Sequence, residues 1–532
     1  MDVSASVGQK LLLAFHGIEQ PSKDIIDALR KYRACGVTLF RPYNINNPEQ
    51  LLLLNNNLQA LANQLDLPPL LIAIDQEGGQ LMAFGGGTQL PGNMALGATG
   101  STDLAFAAGE VLGRELSALG VNVNYAPCID VNINPANPVV GIRSFGENPM
   151  AVSNLGAAMI RGIQSQGVAA TAKHFPGHGD TSSDSHHSLP MIHHDMEQLS
   201  KVELPPFQAA IAAEVKMIMT AHLGLTDIDG VNAPPATLSH NILKKMLRQN
   251  IHFEGVIITD AMDMRAIQQG DKLGVDCVKA VNAGADILLM AADPRDHARA
   301  YQALMHASSE NLITPKELEN STIRIIALKN WLTLHKKVNN LSVIRCQDHE
   351  NVARSIAEQS ITLVRDDAHL LPIHLKPEAK ILVITPEPVD LTPADTSSYN
   401  KPELAQAIRE YHPNVDEIII PADPDESEIM DVLYQIDRYT LIILCTINAL
   451  NSAGQARLAN EILQKKASVI IVALRLPYDL AAFPQAQTYI CTYSILQPSI
   501  KALAKALFGQ ILFRGKLPVS IPGLYSAMDK NY

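Results

Sequence analysis

The densest group of chemically capable side chains in the sequence is the stretch TAKHFPGHGDTSSDSHHSLPMIHH, residues 171–194. It carries His174, His178, Asp180, Asp184, His186 and His187, with Pro176, Gly177 and Gly179 turning the chain between them. A polar loop that leaves a buried strand is where proteins commonly place reacting groups. Within it, Asp184-Ser185-His186 sets a carboxylate two residues from an imidazole. At that spacing the carboxylate can hold one ring nitrogen and leave the other facing a substrate, as in a general acid/base that titrates near neutrality. A solvated loop with idle histidines is the bland alternative. Zinc is another, because His174, His178, Asp180, Asp184 and His186 are all ligand-type residues. These ligands come from a single loop, with no HxH pair on the first strand, so no metal site is expected.

Three further segments place charge where charge is costly. In GVIITDAMDM (255–264), Asp260 closes a strongly apolar run, where an ionised carboxylate must be paired or serve a purpose. At the mouth of a barrel such a group can attack an anomeric carbon and form a covalent glycosyl intermediate; equally, it could cap a following helix. Asp263 reads in the reverse order, as a helix-start residue first. In AIDQEGGQLMAF (73–84), Asp75 ends another apolar run before Gly78-Gly79 and could accept from sugar hydroxyls or anchor the turn. In the loop-like stretch 124–149, Arg143 offers several donors in a fixed plane, suited to vicinal hydroxyls. Pairing with Glu147 to fix the loop is its alternative role.

These residues need a scaffold that brings them together. Through about residue 335, short apolar runs alternate with longer segments of helical periodicity. The strand candidates are 11–15, 36–40, 70–75, 121–127, 168–174, 215–222, 255–262 and 285–290; helix candidates include 24–34, 48–65 and 239–250, the last with Ser239 as its N-cap. Strands apolar on both faces and separated by helices indicate a parallel sheet covered on both sides. An open doubly wound sheet shares this local pattern. However, Asp75, Asp130, His174, His222 and Asp260 all fall at or just past the C-terminal ends of their strands, which converge on one mouth only in a barrel. The expectation is a (β/α)8 TIM-like barrel over residues 1–337, a linker over 338–350, and a doubly wound α/β sandwich over 351–532. The second half has strand candidates at 360–366, 380–387, 416–423, 439–447, 467–475 and 487–494, with no comparable density of ionisable residues at their ends. It reads as a structural or assembly domain.

Composition sets outer bounds. A chain of 532 residues is too long for one hydrophobic core. A formal net charge of -12 with no Lys/Arg stripe argues against a nucleic-acid partner. The apolar run Leu11–Phe15 is strand-sized and cannot cross a bilayer, and the N-terminal residues lack the pattern of a secretory signal. Six cysteines are scattered without a CxxC pair, as expected of reduced core thiols. A cytoplasmic protein with no membrane partner is the expectation.

Taken in order, IAIDQEGG, NYAPCIDVN with GIRSFGENP, TAKHFPGHGDTSSDSHHSLP, MTAHL, PATLS and GVIITDAMDM resemble glycoside hydrolase family three. The KHFPGHG…DSH stretch is the most specific, because it marks the β-N-acetylglucosaminidase branch, which takes part in bacterial cell-wall recycling, rather than the β-glucosidases. Similarity continues through SITLVRDD, LLPI, LPYDLAAFP and FRGKLPVSIP, so it covers nearly the whole chain. The resemblance implies a retaining exo-glycosidase that releases terminal non-reducing β-N-acetylglucosamine from a carbohydrate substrate, without a cofactor, as a monomer or homodimer. It implies Asp260 as nucleophile, His186 as acid/base oriented by Asp184, and Asp75, Arg143, Lys173 and His174 as holders of the sugar's hydroxyls. In the β-glucosidase branch the acid/base is a glutamate from elsewhere, so here the second domain need not supply a catalytic residue. Gln80 departs from the pattern, since many relatives carry Arg after the double glycine. Alternatives within the family are a β-glucosidase or β-xylosidase. A third is an N-acetylglucosaminide phosphorylase, because a neutral imidazole tolerates an anionic acceptor better than a carboxylate would.

Overall fold

Strands that are apolar on both faces must be covered on both. The computed structural model, which describes residues 2–182, 189–267 and 272–527, covers them in two sheets. The first consists of β1 (Leu11–Ala14), β2 (Gly36–Leu39), β3 (Leu71–Ile74), β4 (Val123–Asn124), β5 (Ala169–Phe175), β6 (Met217–Thr220), β7 (Val256–Ile258) and β8 (Leu288–Met290). Each pairs in parallel with its neighbour in sequence through β7, and β8 returns to β1 through Leu11↔Leu288. A further parallel bridge, Ile258↔Ile287, joins β7 to the residue before β8, so the eight strands close into a barrel.

Alternation along each strand divides the core into layers. Leu12, Leu71, Ala73, Val123, Met217, Met219, Val256, Ile258 and Leu289 fill the interior. Leu11, Leu13, Ile72, Ile74, Ala170, Ala172, Ile218 and Ile257 face the surrounding helices. Ile325, Leu328 and Leu332 of the helix Pro315–His335 join the interior cluster and plug the N-terminal end of the barrel. The open end is therefore the C-terminal one. The helices Thr102–Ala118 and Pro149–Ser165 come close enough that a Cβ on Gly109 would lie 2.3 Å from the Met159 carbonyl oxygen. As expected, Ser239 Oγ accepts from Ile242 N–H at 3.2 Å at the start of the helix Asn241–Asn250.

The helix Gln347–Ser360 opens inside the stretch expected as a linker and packs on the barrel helices Asn93–Thr99 and Thr102–Ala118. The second sheet holds β9 (Thr362–Asp366), β10 (Ile381–Pro386), β11 (Val415–Ile420), β12 (Leu441–Thr446), β13 (Val469–Ala473) and β14 (Thr488–Cys491). Its order is β9-β14-β13-β12-β10-β11, parallel except for β9 against β14, with helices on both sides. The tail after the helix Gln497–Leu507 returns to the barrel, where Lys516 N–H donates to Ala98 O and Glu147 N–H to Pro518 O, both at 3.0 Å. Among the described residues, no helix is long and apolar enough to cross a membrane.

Candidate active site

The C-terminal ends of the barrel strands surround a cavity of about 570 Å³. Asp75 enters it just past β3, Lys173 and His174 from β5, and Asp260 just past β7. Arg143 reaches it from the single turn Gly141–Arg143 in the long segment after β4. Five residues named from the sequence thus share one cleft. Asp184 and His186 lie in 183–188, outside the described residues.

Under the cleft runs a chain of buried charges. Lys173 Nζ lies 2.6 Å from Asp75 Oδ1 and 2.7 Å from Glu77 Oε1. Arg143 forks onto Glu77, with Nε to Oε2 at 3.0 Å and Nη2 to Oε1 at 2.7 Å. Glu77, Arg143 and Lys173 are buried, so each carries a desolvation cost that only its partners offset. Burial alone would raise the Glu77 carboxyl, yet Arg143 and Lys173 outweigh it and bring the pKa to about 2. For Arg143 burial pulls downward, and Glu77 more than reverses it. The fork on Glu77 takes the place of a pairing with Glu147, whose carboxylate instead accepts from Ser520 N–H at 2.7 Å and Ser520 Oγ at 2.5 Å.

Glu77 went unmarked in the sequence, although a signal was present. It stands two residues after Asp75, and residues two apart in extended chain project to one side. The short ladder Gln76–Gly78 against Leu81–Met82 holds it there, turning through Gly78 (φ 82°) and Gly79 (φ 63°). A Cβ on Gly79 would sit 3.0 Å from the Gly92 Cα, so this turn has no room for a side chain.

Asp130 accepts four hydrogen bonds: from His174 N–H at 3.1 Å, His178 N–H at 2.7 Å, the His174 Nδ1 position at 2.7 Å and the Cys128 thiol at 3.2 Å. Burial would raise its pKa, but the two histidines hold it below the usual carboxylate range. Cys128, Asp130 and His174 are a trio of ligand types within 4.8 Å of one another. Because Cys128 and His174 both turn onto Asp130, whose lone pairs are already engaged, the trio suits the orientation of His174 better than metal binding. His222 bridges Thr237 Oγ1 at 2.7 Å and Ala261 O at 3.0 Å, which fixes the backbone beside Asp260. Among the described residues no helix follows β7 before Leu273, and 259–267 are turns, bends and irregular chain. Among the described residues Asp260 does not open a helix; its Oδ1 accepts from Ala261 N–H at 2.8 Å. For the same reason Asp263 is not a helix-start residue; it sits in a turn and lines the cavity.

The flanks of 183–188 are tied together. His194 Nε2 lies 2.8 Å from Asp180 Oδ2 and Nδ1 lies 3.2 Å from Glu203 Oε1. Hydrogen bonding to Asp180 and Glu203 lifts the His194 pKa to about 9. His178, by contrast, is lowered to about 4, by burial first and then by His174.

The second half of the chain is more than a structural annex. The segment after β10 contributes Asp390, Thr392, Asp395, Thr396 and Tyr399 to the cavity wall. Gln80 is what fastens it. Thr396 donates to the Gln80 carbonyl from N–H at 2.8 Å and from Oγ at 2.7 Å. The Gln80 amide donates to Ala394 O at 3.1 Å, and its Oε1 accepts from Arg475, which in turn pairs with Asp395 at 2.7 Å.

Comparison with known proteins agrees with this layout. Residues 4–328 match the family described as glycosyl hydrolase family 3, N terminal domain. Beta-hexosaminidase A of Pseudoalteromonas piscicida is 31% identical, with 98% of this chain and 97% of that one aligned. A Cellulomonas fimi protein named beta-N-acetylglucosaminidase/beta-glucosidase is 29% identical over 85% of this chain and 83% of its own. Among solved structures, a glycoside hydrolase family 3 beta-N-acetylglucosaminidase from Paenibacillus sp. str. FPU-7 superposes with a TM-score of 0.92 at 35% identity, covering 98% of this chain and 99% of that one.

Proposed function

Since this chain belongs to glycosyl hydrolase family 3 and is therefore a glycosidase, we propose that it is a retaining exo-β-N-acetylglucosaminidase working by double displacement. Asp260 attacks the anomeric carbon while His186, oriented by Asp184, protonates the glycosidic oxygen. His186 then takes a proton from the incoming water, which releases the sugar from Asp260. Asp75 accepts from hydroxyls of the terminal sugar, Lys173 and His174 donate to them, and Arg143 holds Glu77 and hence Lys173 in place. The observation that carries the reading is the convergence of Asp75, Arg143, Lys173, His174 and Asp260 on one cavity. The name of the Paenibacillus relative, a beta-N-acetylglucosaminidase, supports N-acetylglucosamine as the sugar, and that of the Pseudoalteromonas relative, a beta-hexosaminidase, supports a hexosamine. Cell-wall-derived saccharides in the cytoplasm are the proposed source of substrate.

The test is release of nitrophenol from nitrophenyl N-acetyl-β-glucosaminide, compared with nitrophenyl β-glucoside and β-xyloside. Preference for the first is expected; a preference for either of the others would replace this reading with its rival. Including phosphate separates hydrolysis, expected to give free N-acetylglucosamine, from phosphorolysis, which would give the 1-phosphate.

A further inference from the structure

The helix Pro315–His335, which plugs the N-terminal end of the barrel, is apolar on two opposite sides. Ile325, Leu328 and Leu332 face inward and join the barrel interior. The outward side of a surface helix ordinarily carries charged and polar residues. Here it holds Ile323, Ile326 and Leu334, which are 54%, 42% and 81% exposed, with Ala327 and Asn330 exposed between them. Val338, three residues past the helix end, is exposed too. Scattered singly, such residues need no explanation, but aligned on one face they form a strip that marks a contact surface.

The spacing of the strip says what covers it. Ile323, Ala327, Asn330 and Leu334 stand four, three and four residues apart, the repeat that forms the seam of a two-stranded helical coil. In size the seam runs large, small, small, large over about 16 Å, so it reads alike from either end, as a two-fold contact between copies requires. Charge then selects the direction. Glu319 lies four residues before the seam and Lys337 three after it; both are exposed, and neither is in an ion pair within 4.0 Å among the described residues. An antiparallel pair sets each Glu319 level with the partner's Lys337, whereas a parallel pair sets like charges together. Lys316 stands about a turn farther out, past the overlap.

We propose that this strip docks a second copy of the chain as an antiparallel helix pair, with the two-fold axis level with the peptide that joins Leu328 to Lys329. Ile323 then packs on the partner's Leu334, and Ala327 on the partner's Asn330, where the small pair lets the two backbones approach. Ile326 flanks the seam and widens the apolar contact. The cavity opens at the other end of each barrel, so both mouths stay clear of the contact. Standard interfaces bury about 800 Å² on each partner. One helix face supplies less, so the dimer is expected to dissociate in the micromolar range.

The experiment is sedimentation equilibrium of the full chain from about 1 to about 100 μM. A monomer–dimer equilibrium is expected, with the mass rising to twice that of one chain. Ile323→Glu and Leu334→Glu should each raise the dimer Kd about ten-fold or more, with circular dichroism unchanged because both side chains face solvent in the single chain. Glu319→Lys and Lys337→Glu should each weaken the dimer about three-fold, and the two together should restore it, since the exchanged charges again meet across the axis. A single-chain mass at every concentration overturns the proposal, and so does a dimer whose Kd neither Ile323→Glu nor Leu334→Glu changes. If the charge-exchanged double variant associates no better than the single variants, the antiparallel pairing is wrong and the proposal falls with it.

Discussion

Glu77 lies between two buried cations, with Arg143 on one side and Lys173 on the other. Removing it strips Arg143 of its carboxylate partner and leaves Lys173 with Asp75 alone, two positive charges side by side in a desolvated pocket with one of them uncompensated. Glu77→Ala is therefore expected to lower the unfolding free energy by about 3–5 kcal/mol, read from urea denaturation at neutral pH. The acid side carries a second signature. With its folded pKa at about 2 against an ordinary 4.5, the Glu77 carboxylate contributes stability that is complete above pH 4.5 and is lost as pH falls towards 2. The gap between parent and Glu77→Gln should consequently narrow across that window; a gap that stays constant would show that the carboxylate's charge is not what the network needs. Asp75, His174 and Asp260 stood out in the sequence because each is a polar group at the end of an apolar run, where burial demands a reason, whereas Lys173 was named only through the family resemblance. Glu77 did not, because it follows the strand end and precedes a glycine pair, so it reads as part of a turn. Its importance lies in Arg143, 66 residues away, and no local pattern reports such a partner.

The strands were legible for a different reason: eight apolar runs at barrel spacing can be buried in few ways, and all eight form. Their lengths were less so. The run 121–127 yields only β4, two residues, because the chain beyond Asn124 turns into the polar segment that carries Asp130 and Arg143. Electrostatics within elements was also hidden, as at the exit from β5. His194 is held between Asp180 and Glu203, and its pKa of about 9 exceeds the ordinary 6.5. A group raised in the folded state contributes stability that is fully present below pH 6.5 and disappears as pH climbs through 9. His194→Gln should thus be less stable than the parent at pH 6, with the difference fading by pH 9 to 10 in matched denaturation curves. At the plugged end of the barrel the sign reverses. Burial draws Lys329, on the helix Pro315–His335, to about 8, with Gln9 Oε1 at 3.0 Å as its polar partner. The unfolded chain binds this proton more tightly, so the lysine costs stability below pH 8 and ceases to do so above its ordinary 10.5. Lys329→Met should raise the thermal midpoint at pH 7 and lose that advantage as the pH approaches 10.5; a lowered midpoint at pH 7 would mean that the bond to Gln9 outweighs the desolvation.

At the scale of the whole molecule, the decisive contact joins residues more than three hundred positions apart. Gln80 meets Thr396 and Arg475, and through them the second sheet closes one wall of the cavity. Periodicity reported that a second α/β unit exists but could not report which of its loops turns towards the barrel. The departure at Gln80 was visible, while its cause was not: Arg475 already fills the space beside it with a guanidinium paired to Asp395. This makes a prediction opposite to what a consensus argument would give. Restoring the arginine found in many relatives, Gln80→Arg, sets a second guanidinium against Arg475 in a buried site and removes the acceptor that Arg475 now uses. Stability should fall by about 1–3 kcal/mol, and KM for disaccharides should rise because the segment from Asp390 to Tyr399 loses its fastening to the barrel. Adding Arg475→Gln should recover much of the loss, because the exchanged pair again offers one guanidinium and one amide, leaving Asp395 within reach of a cation. A double-mutant cycle over these positions isolates that coupling from the separate costs of each change. If Gln80→Arg alone proves as stable as the parent, Arg475 does not exclude a second cation and the clip between the two halves must reside elsewhere.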